Sequence, residues 1–310
     1  MTSGPPGRRW LALLLLLSVP LSPAIAGTSI EAPGDGRPEE QAAPAALPAP
    51  LVADGAARPP DAPLTWAQVG ADARYVFGRP AHLDRRGWLR FALAIGVGAS
   101  LYLVRDEARE FAQDHGSESV DRILDRARLM SRLATPLLVS GGFYLTGVAK
   151  DSAYDKETAV LVLENLGYAA GITGVAQRVV ATERPRNGDG IEFFGGREGH
   201  SVSGDVVIAT SILAPTIERH LLPDDDDGKG VRFWKRFGAV ALYGGAGLVA
   251  LQRINVDAHW LPDVYLGYVC GLGVGKLLVD SRRGGREWRE ERRGHRVQTS
   301  VSASGISIVW

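Results

Sequence analysis

The sequence predicts an all-α protein, a six-helix antiparallel bundle followed by a short C-terminal β tail. From Trp66 onward, apolar residues recur at helical spacing, charges occupy the other face, and Gly, Pro and Asp bound each segment. Apolar residues make up 45% of the 310 residues, enough to bury a core. The predicted helices cover residues 87–113, 118–148, 158–182, 204–219, 231–253 and 262–281.

The overall charge and the cysteine content narrow the possible functions. Lysine plus arginine number 35 and aspartate plus glutamate number 35, so the formal net charge is zero and no nucleic-acid partner is expected. The one cysteine, Cys270, lies in an apolar run and predicts core packing rather than a disulfide or a metal cluster. We expect no metal and no cofactor.

The chain begins with features of a secretory signal peptide at residues 1–26. Arg8 and Arg9 precede a short apolar stretch that ends in Ala24-Ile25-Ala26. An uncleaved membrane anchor is the alternative. Residues 27–64 are rich in Pro and Ala and predict a disordered linker before a helical domain at 65–282. We therefore expect an exported, periplasmic protein.

The last segment, residues 283–310, combines a basic stretch with a predicted β tail. Alternation from Val297 to Trp310 predicts one or two short strands that pack on the bundle as a hairpin. Elsewhere, the purest apolar runs fall short of the ~20 residues that a spanning helix needs. Glu164, Asn165 and Lys276 interrupt other apolar stretches. These features favour a packed bundle over a polytopic membrane protein, with membrane association left open.

Three polar segments are expected to meet at one end of the bundle. They are residues 177–185 after the third predicted helix, 199–205 before the fourth, and 253–263 between the fifth and sixth. Consecutive helices of an up-and-down bundle reverse direction, so these helix ends lie on the same side. The sequence thus predicts a single polar site.

The third segment contains Arg253, His259 and Asp263 at the spacing R-x5-H-x3-D. Asp263 in the first turn of the last helix can accept a hydrogen bond from one ring nitrogen of His259. That bond fixes the tautomer and leaves the other nitrogen as a nucleophile. Arg253 offers a planar fork of donors to a phosphoryl group. A satisfied buried histidine–aspartate pair is the alternative.

The other two segments add an arginine and backbone amides. Arg184 is a second guanidinium, although a basic residue at a helix end is also favoured by the helix dipole. The segment around Ser203 and Gly204 is a glycine-rich turn entering a helix, where backbone N–H groups suit an anion. Many loops that bind no anion also have a glycine-rich turn before a helix.

Together the three segments resemble the type 2 phosphatidic acid phosphatase (PAP2) superfamily, which includes bacterial acid phosphatases and vanadium haloperoxidases. Its signature is K-x6-RP, then PSGH, then SR-x5-H-x3-D, and the resemblance covers roughly residues 158–280. Arg184-Pro185 and the Arg253–His259–Asp263 triplet match. Gln177 stands at the lysine position, and Asp205 stands at the histidine position of the second motif.

The resemblance implies a role for each matched residue. His259 attacks phosphorus, Asp263 orients it, and Arg184, Arg253 and the amides near Ser203 and Gly204 hold the phosphoryl oxygens. Gln177 takes the place of a phosphate-binding lysine. The acid that protonates the leaving group is Asp205 or His200, and the motif frame favours Asp205.

The expected function is hydrolysis of a lipid phosphate or diphosphate, or of a small phosphate ester, through a phosphohistidine. The changes at positions 177 and 205 favour diphosphates or other activated substrates, because a weakened acid hinders poor leaving groups most. The alternative is a catalytically impaired relative that binds phosphate or lipid, or has a structural role. The expected partners are such a substrate and a membrane surface. Vanadate-dependent oxidation is disfavoured by the same two changes.

Overall fold

The structure is a computed structural model that describes residues 66–188, 190–194, 199–224, 226–294, 298–302 and 305–309. The predicted signal peptide and linker lie outside the described residues. The helices are α1 (Trp66–Gly78), α2 (Arg85–Leu101), α3 (Arg105–Asp114), α4 (Glu118–Ala127), α5 (Ala134–Ala149), α6 (Ala153–Val179), α7 (Gly204–Ser211), α8 (Leu213–Thr216), α9 (Lys229–Asn255) and α10 (Leu261–Gly294). Antiparallel strands β1 (Val180–Thr182) and β2 (Ile191–Phe193) form one hairpin, and β3 (Gln298–Ser302) and β4 (Gly305–Val309) form another.

The predicted all-α class is confirmed, but the division into six helices is not. The first predicted helix is split by a 3-10 turn at Tyr102–Val104. The second is split between α4 and α5 because Pro136, in the first turn of α5, cannot continue a preceding helix. α1 was not predicted. The basic stretch after residue 282 continues α10 instead of forming a separate segment.

The third and fourth predicted helices end differently from the prediction. Residues 180–182 leave the helix and pair with β2. The fourth predicted helix breaks after Ser211, resumes as α8, and closes with a π turn at Ile217–Leu221. The fifth predicted helix corresponds to α9 within two residues at each end. The boundaries at the site are predicted well, since α7 begins at Gly204 as expected and α10 begins one residue before the predicted start.

Glycines on α10 bring it unusually close to α7 and α6. A Cβ on Gly267 would lie 2.7 Å from the carbonyl oxygen of Ser203. A Cβ on Gly275 would lie 2.6 Å from Nδ2 of Asn165. That same amide donates to the carbonyls of Ser211 and Gly271, at 2.7 and 3.0 Å. The three core helices are thus joined by close packing and by a buried amide.

A buried ionic cluster holds α10 at Arg282, about three turns before the helix ends. Arg282 pairs with Asp72 of α1 and lies 3.5 Å from Glu164 and 3.6 Å from Glu157, both on α6. Asp72, Glu164 and Arg282 are all buried. Breaking one partner of such a cluster leaves an uncompensated buried charge, so the cluster fixes α1, α6 and α10 relative to one another.

Among the described residues, four helical segments are by length and composition apolar enough to cross a membrane: Arg85–Asp114, Ala153–Val179, Lys229–Asn255 and Leu261–Arg282. The expectation from run length is corrected, because the polar residues that interrupt these segments face inward. Asn165 is fully buried, and Lys276 bonds Glu218 at 2.6 Å. Large apolar side chains are exposed instead, such as Leu138 at 75% and Val240 at 69%. The outer face of the helices is therefore apolar.

We predict that Gly267→Ala lowers thermal stability, because the added methyl group meets the backbone of Ser203. Overpacking of this kind costs about 1–3 kcal/mol. Gly273→Ala, in the same helix with no atom within 4 Å of the added Cβ, is the matched control and should be neutral or slightly stabilising. Thermal unfolding in detergent measures both variants. Equal unfolding temperatures for the two would contradict the close approach of α10 to the Ser203 turn.

Candidate active site

The three polar segments lie together in the structure. The loop before α7 joins the first segment where the backbone N–H of His200 donates to the carbonyl of Thr182 at 3.1 Å. It joins the third segment where the N–H of Ser203 donates to the carbonyl of Asp263 at 3.0 Å. Gly199 lies against the end of α6, where an added Cβ would approach the carbonyl oxygen of Gln177 to 1.9 Å. Backbone contacts therefore assemble the site before any side chain is considered.

His259 is held by the turn between α9 and α10. Its backbone N–H and that of Ala258 both donate to the carbonyl of Arg253, at 3.2 and 3.0 Å. Asp257 takes a left-handed conformation with φ 52°, which aspartate tolerates better than most residues. This tight turn places the buried side chain of His259 next to the loop before α7.

One ring nitrogen of His259 is fixed by a backbone carbonyl. Nδ1 lies 3.2 Å from the carbonyl oxygen of His200. A carbonyl can only accept, so Nδ1 carries the hydrogen and Nε2 keeps its lone pair. The geometry thus supplies the tautomer that a nucleophilic histidine needs.

The expected hydrogen bond from His259 to Asp263 is not formed. Asp263 Oδ2 lies 3.8 Å from Nδ1, too far for a hydrogen bond, and accepts instead from the N–H of Trp260 at 3.0 Å. Thr182 donates to Oδ1 at 3.5 Å. The buried carboxylate faces Nδ1 and can stabilise a positive charge on the ring, but its direct bonds hold the start of α10.

Two arginines and a serine present donors to the same region. Arg253 is buried, and the charges of Arg128, Arg184 and Arg186 act on it. Arg184 Nε and Ser203 Oγ are buried and have no hydrogen-bond partner among the described residues. Buried polar groups are normally satisfied, so these unused donors require an explanation. A bound anion would satisfy both.

The structure places Gln177 and Gly204 beside these donors. The side-chain amide of Gln177 donates to the carbonyl of Val202 at 2.6 Å and so supports the loop before α7. Gly204 begins α7, and Ser203 precedes it with its side chain uninvolved in capping. The α7 amides are thus oriented toward the site. Binding of phosphate by Gln177, Ser203 and Gly204 stays a prediction.

The two candidate acids occupy different environments. Asp205 Oδ2 forms an ion pair with Arg253 Nε at 3.0 Å. The ring of His200 stands nearly perpendicular to the ring of His259, with centroids 6.2 Å apart. Both residues lie at the site. Asp205 is paired with an arginine, whereas the His200 ring faces the ring of the proposed nucleophile.

A clamp on the α9–α10 turn was not predicted from the sequence. Arg109 of α3 donates to both carboxylate oxygens of Asp257, at 2.5 and 2.9 Å, and Gln113 adds a bond at 2.8 Å. The hydrogen bond from Arg109 lowers the pKa of Asp257 below its usual range. Because α3 and the turn are far apart in sequence, spacing gave no signal for this contact.

Trp260 connects two segments of the site, a contact that the spacing of the motif did not predict. Its indole N–H donates to the carbonyl of Glu183 at 3.0 Å. The guanidinium of Arg105 lies 4.6 Å from the centre of the Trp260 ring, within cation–π distance. Trp260 therefore ties the Arg184 segment to the start of α10.

Comparison with known proteins does not assign this chain to a family. No protein family matches the chain, and no curated protein is similar in sequence. A solved structure, the "first transmembrane PAP2 type phosphatidylglycerolphosphate phosphatase" of Bacillus subtilis, is similar at 12% identity with a TM-score of 0.46. The match covers 63% of this chain and 94% of that one. A functional proposal therefore rests on the site geometry.

Proposed function

We propose that the chain is a membrane-embedded phosphatase of the PAP2 type that removes a phosphoryl group from a lipid phosphate or diphosphate. The observation that carries this proposal is that the His259 ring, whose Nε2 has no partner among the described residues, meets buried donors of Arg184 and Ser203 that are also unpaired there. A nucleophile next to preorganised donors is the arrangement that phosphoryl transfer requires.

In the proposed reaction, Nε2 of His259 attacks phosphorus and the P–O bond to the leaving group breaks. Arg184, Arg253 and the amides at the start of α7 hold the three equatorial oxygens, on which negative charge is spread in the transition state. Asp263 faces the ring at 3.8 Å and offsets the positive charge that His259 gains. Water then cleaves the phosphohistidine and releases inorganic phosphate.

A lipid substrate is supported by the apolar surface around the site. Val175 and Val179 are exposed near the end of α6, and Phe193 and Phe194 are exposed on the adjoining hairpin. Leu103, which is 80% exposed, follows α2. Acyl chains can lie along such surfaces while the phosphate reaches the arginines. Placement of the site outside the cytoplasm follows from the predicted export signal and remains part of the proposal.

We predict that His259→Ala abolishes phosphate release, because no other group replaces the nucleophile. A loss on the order of 10³-fold or more is expected. The assay measures phosphate release by purified full-length protein from a panel of lipid phosphates, lipid diphosphates and small phosphate esters. His82→Ala is the matched control, since His82 is exposed and precedes α2. Folded wild type that releases no phosphate from any substrate would instead indicate a catalytically impaired relative.

We also predict that the full chain stays with the membrane pellet after an alkaline carbonate wash. Carbonate removes peripheral proteins, whereas the exposed apolar faces of α2, α5 and α9 would keep an embedded chain in the bilayer. A soluble exported protein in the same preparation is the control for complete washing. Recovery of the chain in the supernatant with that control would contradict the embedded placement.

A further inference from the structure

Asp205 stands at the position where the resemblance expects a proton donor, but its carboxylate forms an ion pair with an arginine. Its Oδ2 lies 3.0 Å from Arg253 Nε, and the arginine side chain is only 11% exposed. Arginine stays protonated in proteins, so the carboxylate facing it acts as the negative partner. A group that donates a proton to a leaving oxygen must carry that proton when the reaction begins. Asp205 is therefore poorly placed for that task.

The ion pair gives Asp205 a different effect on the site. The ion pair at Nε restrains the Arg253 side chain, and Nη1 donates to Gln252 Oε1 at 3.5 Å. A guanidinium held in one orientation loses less entropy when it binds a phosphoryl group. Asp205 thus acts through Arg253, as a positioning residue.

His200 also lies beside His259, and its backbone is anchored on both sides. Its N–H donates to Thr182 and its carbonyl accepts from His259 Nδ1. These two hydrogen bonds fix the backbone of His200, and so the position of its Cα atom, relative to His259. The half-buried ring then stands across from the His259 ring at a centroid distance of 6.2 Å.

The ring separation suits proton donation to a leaving group. With reacting atoms at about 3–3.5 Å, a leaving oxygen on the far side of phosphorus lies roughly 5 Å from Nε2. A general acid must come within about 3 Å of that oxygen. The centroid distance of 6.2 Å between the two rings lies within the range that these two distances allow.

We infer that His200, and not Asp205, donates the proton to the leaving oxygen, while Asp205 positions Arg253. This inference rests on the proposed phosphatase function. As the N–P bond to His259 forms and the P–O bond breaks, the imidazolium of His200 transfers its proton to the departing alkoxide, giving an alcohol. Neutral His200 then takes a proton from the water that attacks the phosphohistidine. Phosphate leaves, and His259 and protonated His200 are restored.

The experiment compares two leaving groups in His200→Gln and Asp205→Asn, using purified full-length protein. The substrates are a short-chain alkyl phosphate, whose leaving group needs protonation, and p-nitrophenyl phosphate, whose leaving group does not. We expect His200→Gln to lower kcat/KM, which reports the steps up to departure of the leaving group, by about 10²-fold or more for the alkyl phosphate and by less than about 10-fold for the aryl phosphate. Asp205→Asn should raise KM and lower kcat/KM similarly for both.

Controls separate a chemical effect from misfolding. His82→Gln should match wild type on both substrates, and the thermal unfolding temperature checks that each variant is folded. His200→Ala provides a second measurement, since added imidazole should restore alkyl phosphate turnover by supplying the missing donor. Imidazole should not change kcat/KM for the aryl phosphate, whose leaving group needs no proton.

Two results would overturn the inference while leaving the phosphatase proposal intact. One is a selective loss of alkyl phosphate turnover in Asp205→Asn but not in His200→Gln. The other is an equal loss for both substrates in His200→Gln, with no rescue of His200→Ala by imidazole. A folded wild type that cleaves neither substrate and forms no phosphohistidine would overturn both proposals.

Discussion

The close approach of α10 to the turn before α7 is the constraint on which the site depends. The N–H of Ser203 donates to the carbonyl of Asp263 at 3.0 Å, and Gly267 leaves no room for a side chain beside the Ser203 carbonyl. α10 carries Asp263 and begins just after His259, whereas the turn carries Ser203 and leads into Asp205. One backbone contact therefore sets the distance between the nucleophile and the phosphoryl-binding donors.

α10 is held in this arrangement by contacts at two places along its length. At one end, Trp260 and Asp263 connect the helix to the Arg184 segment and to Thr182. Farther along the helix, Arg282 joins α10 to α1 and α6 through buried carboxylates. A helix held at two places suits a site that works by preorganisation, since donors that need not reorganise stabilise a transition state best. In the proposed phosphatase, His259 and the arginines would meet the phosphate already in position.

The sequence predicted the helical class and the segments that meet at the site, because periodicity and helix-end polarity are local features. Their partners were harder to predict. Asp205 pairs with Arg253, and Arg109 pairs with Asp257, although the partners are far apart in sequence. The spacing of residues within a segment cannot predict such contacts. The membrane character was underestimated for a similar reason: Asn165 and Lys276 interrupt apolar runs in sequence but face inward in the fold.

The most direct test of the proposed mechanism is to trap the phosphorylated enzyme. Full-length protein would be mixed with a labelled lipid phosphate or diphosphate, quenched rapidly, and mapped by mass spectrometry. We expect one phosphoryl group on His259, stable in alkali and labile in acid, and none in His259→Ala. A phosphoryl group on another residue, or phosphate release with no covalent label at any quench time, would contradict the assignment of His259 as the nucleophile.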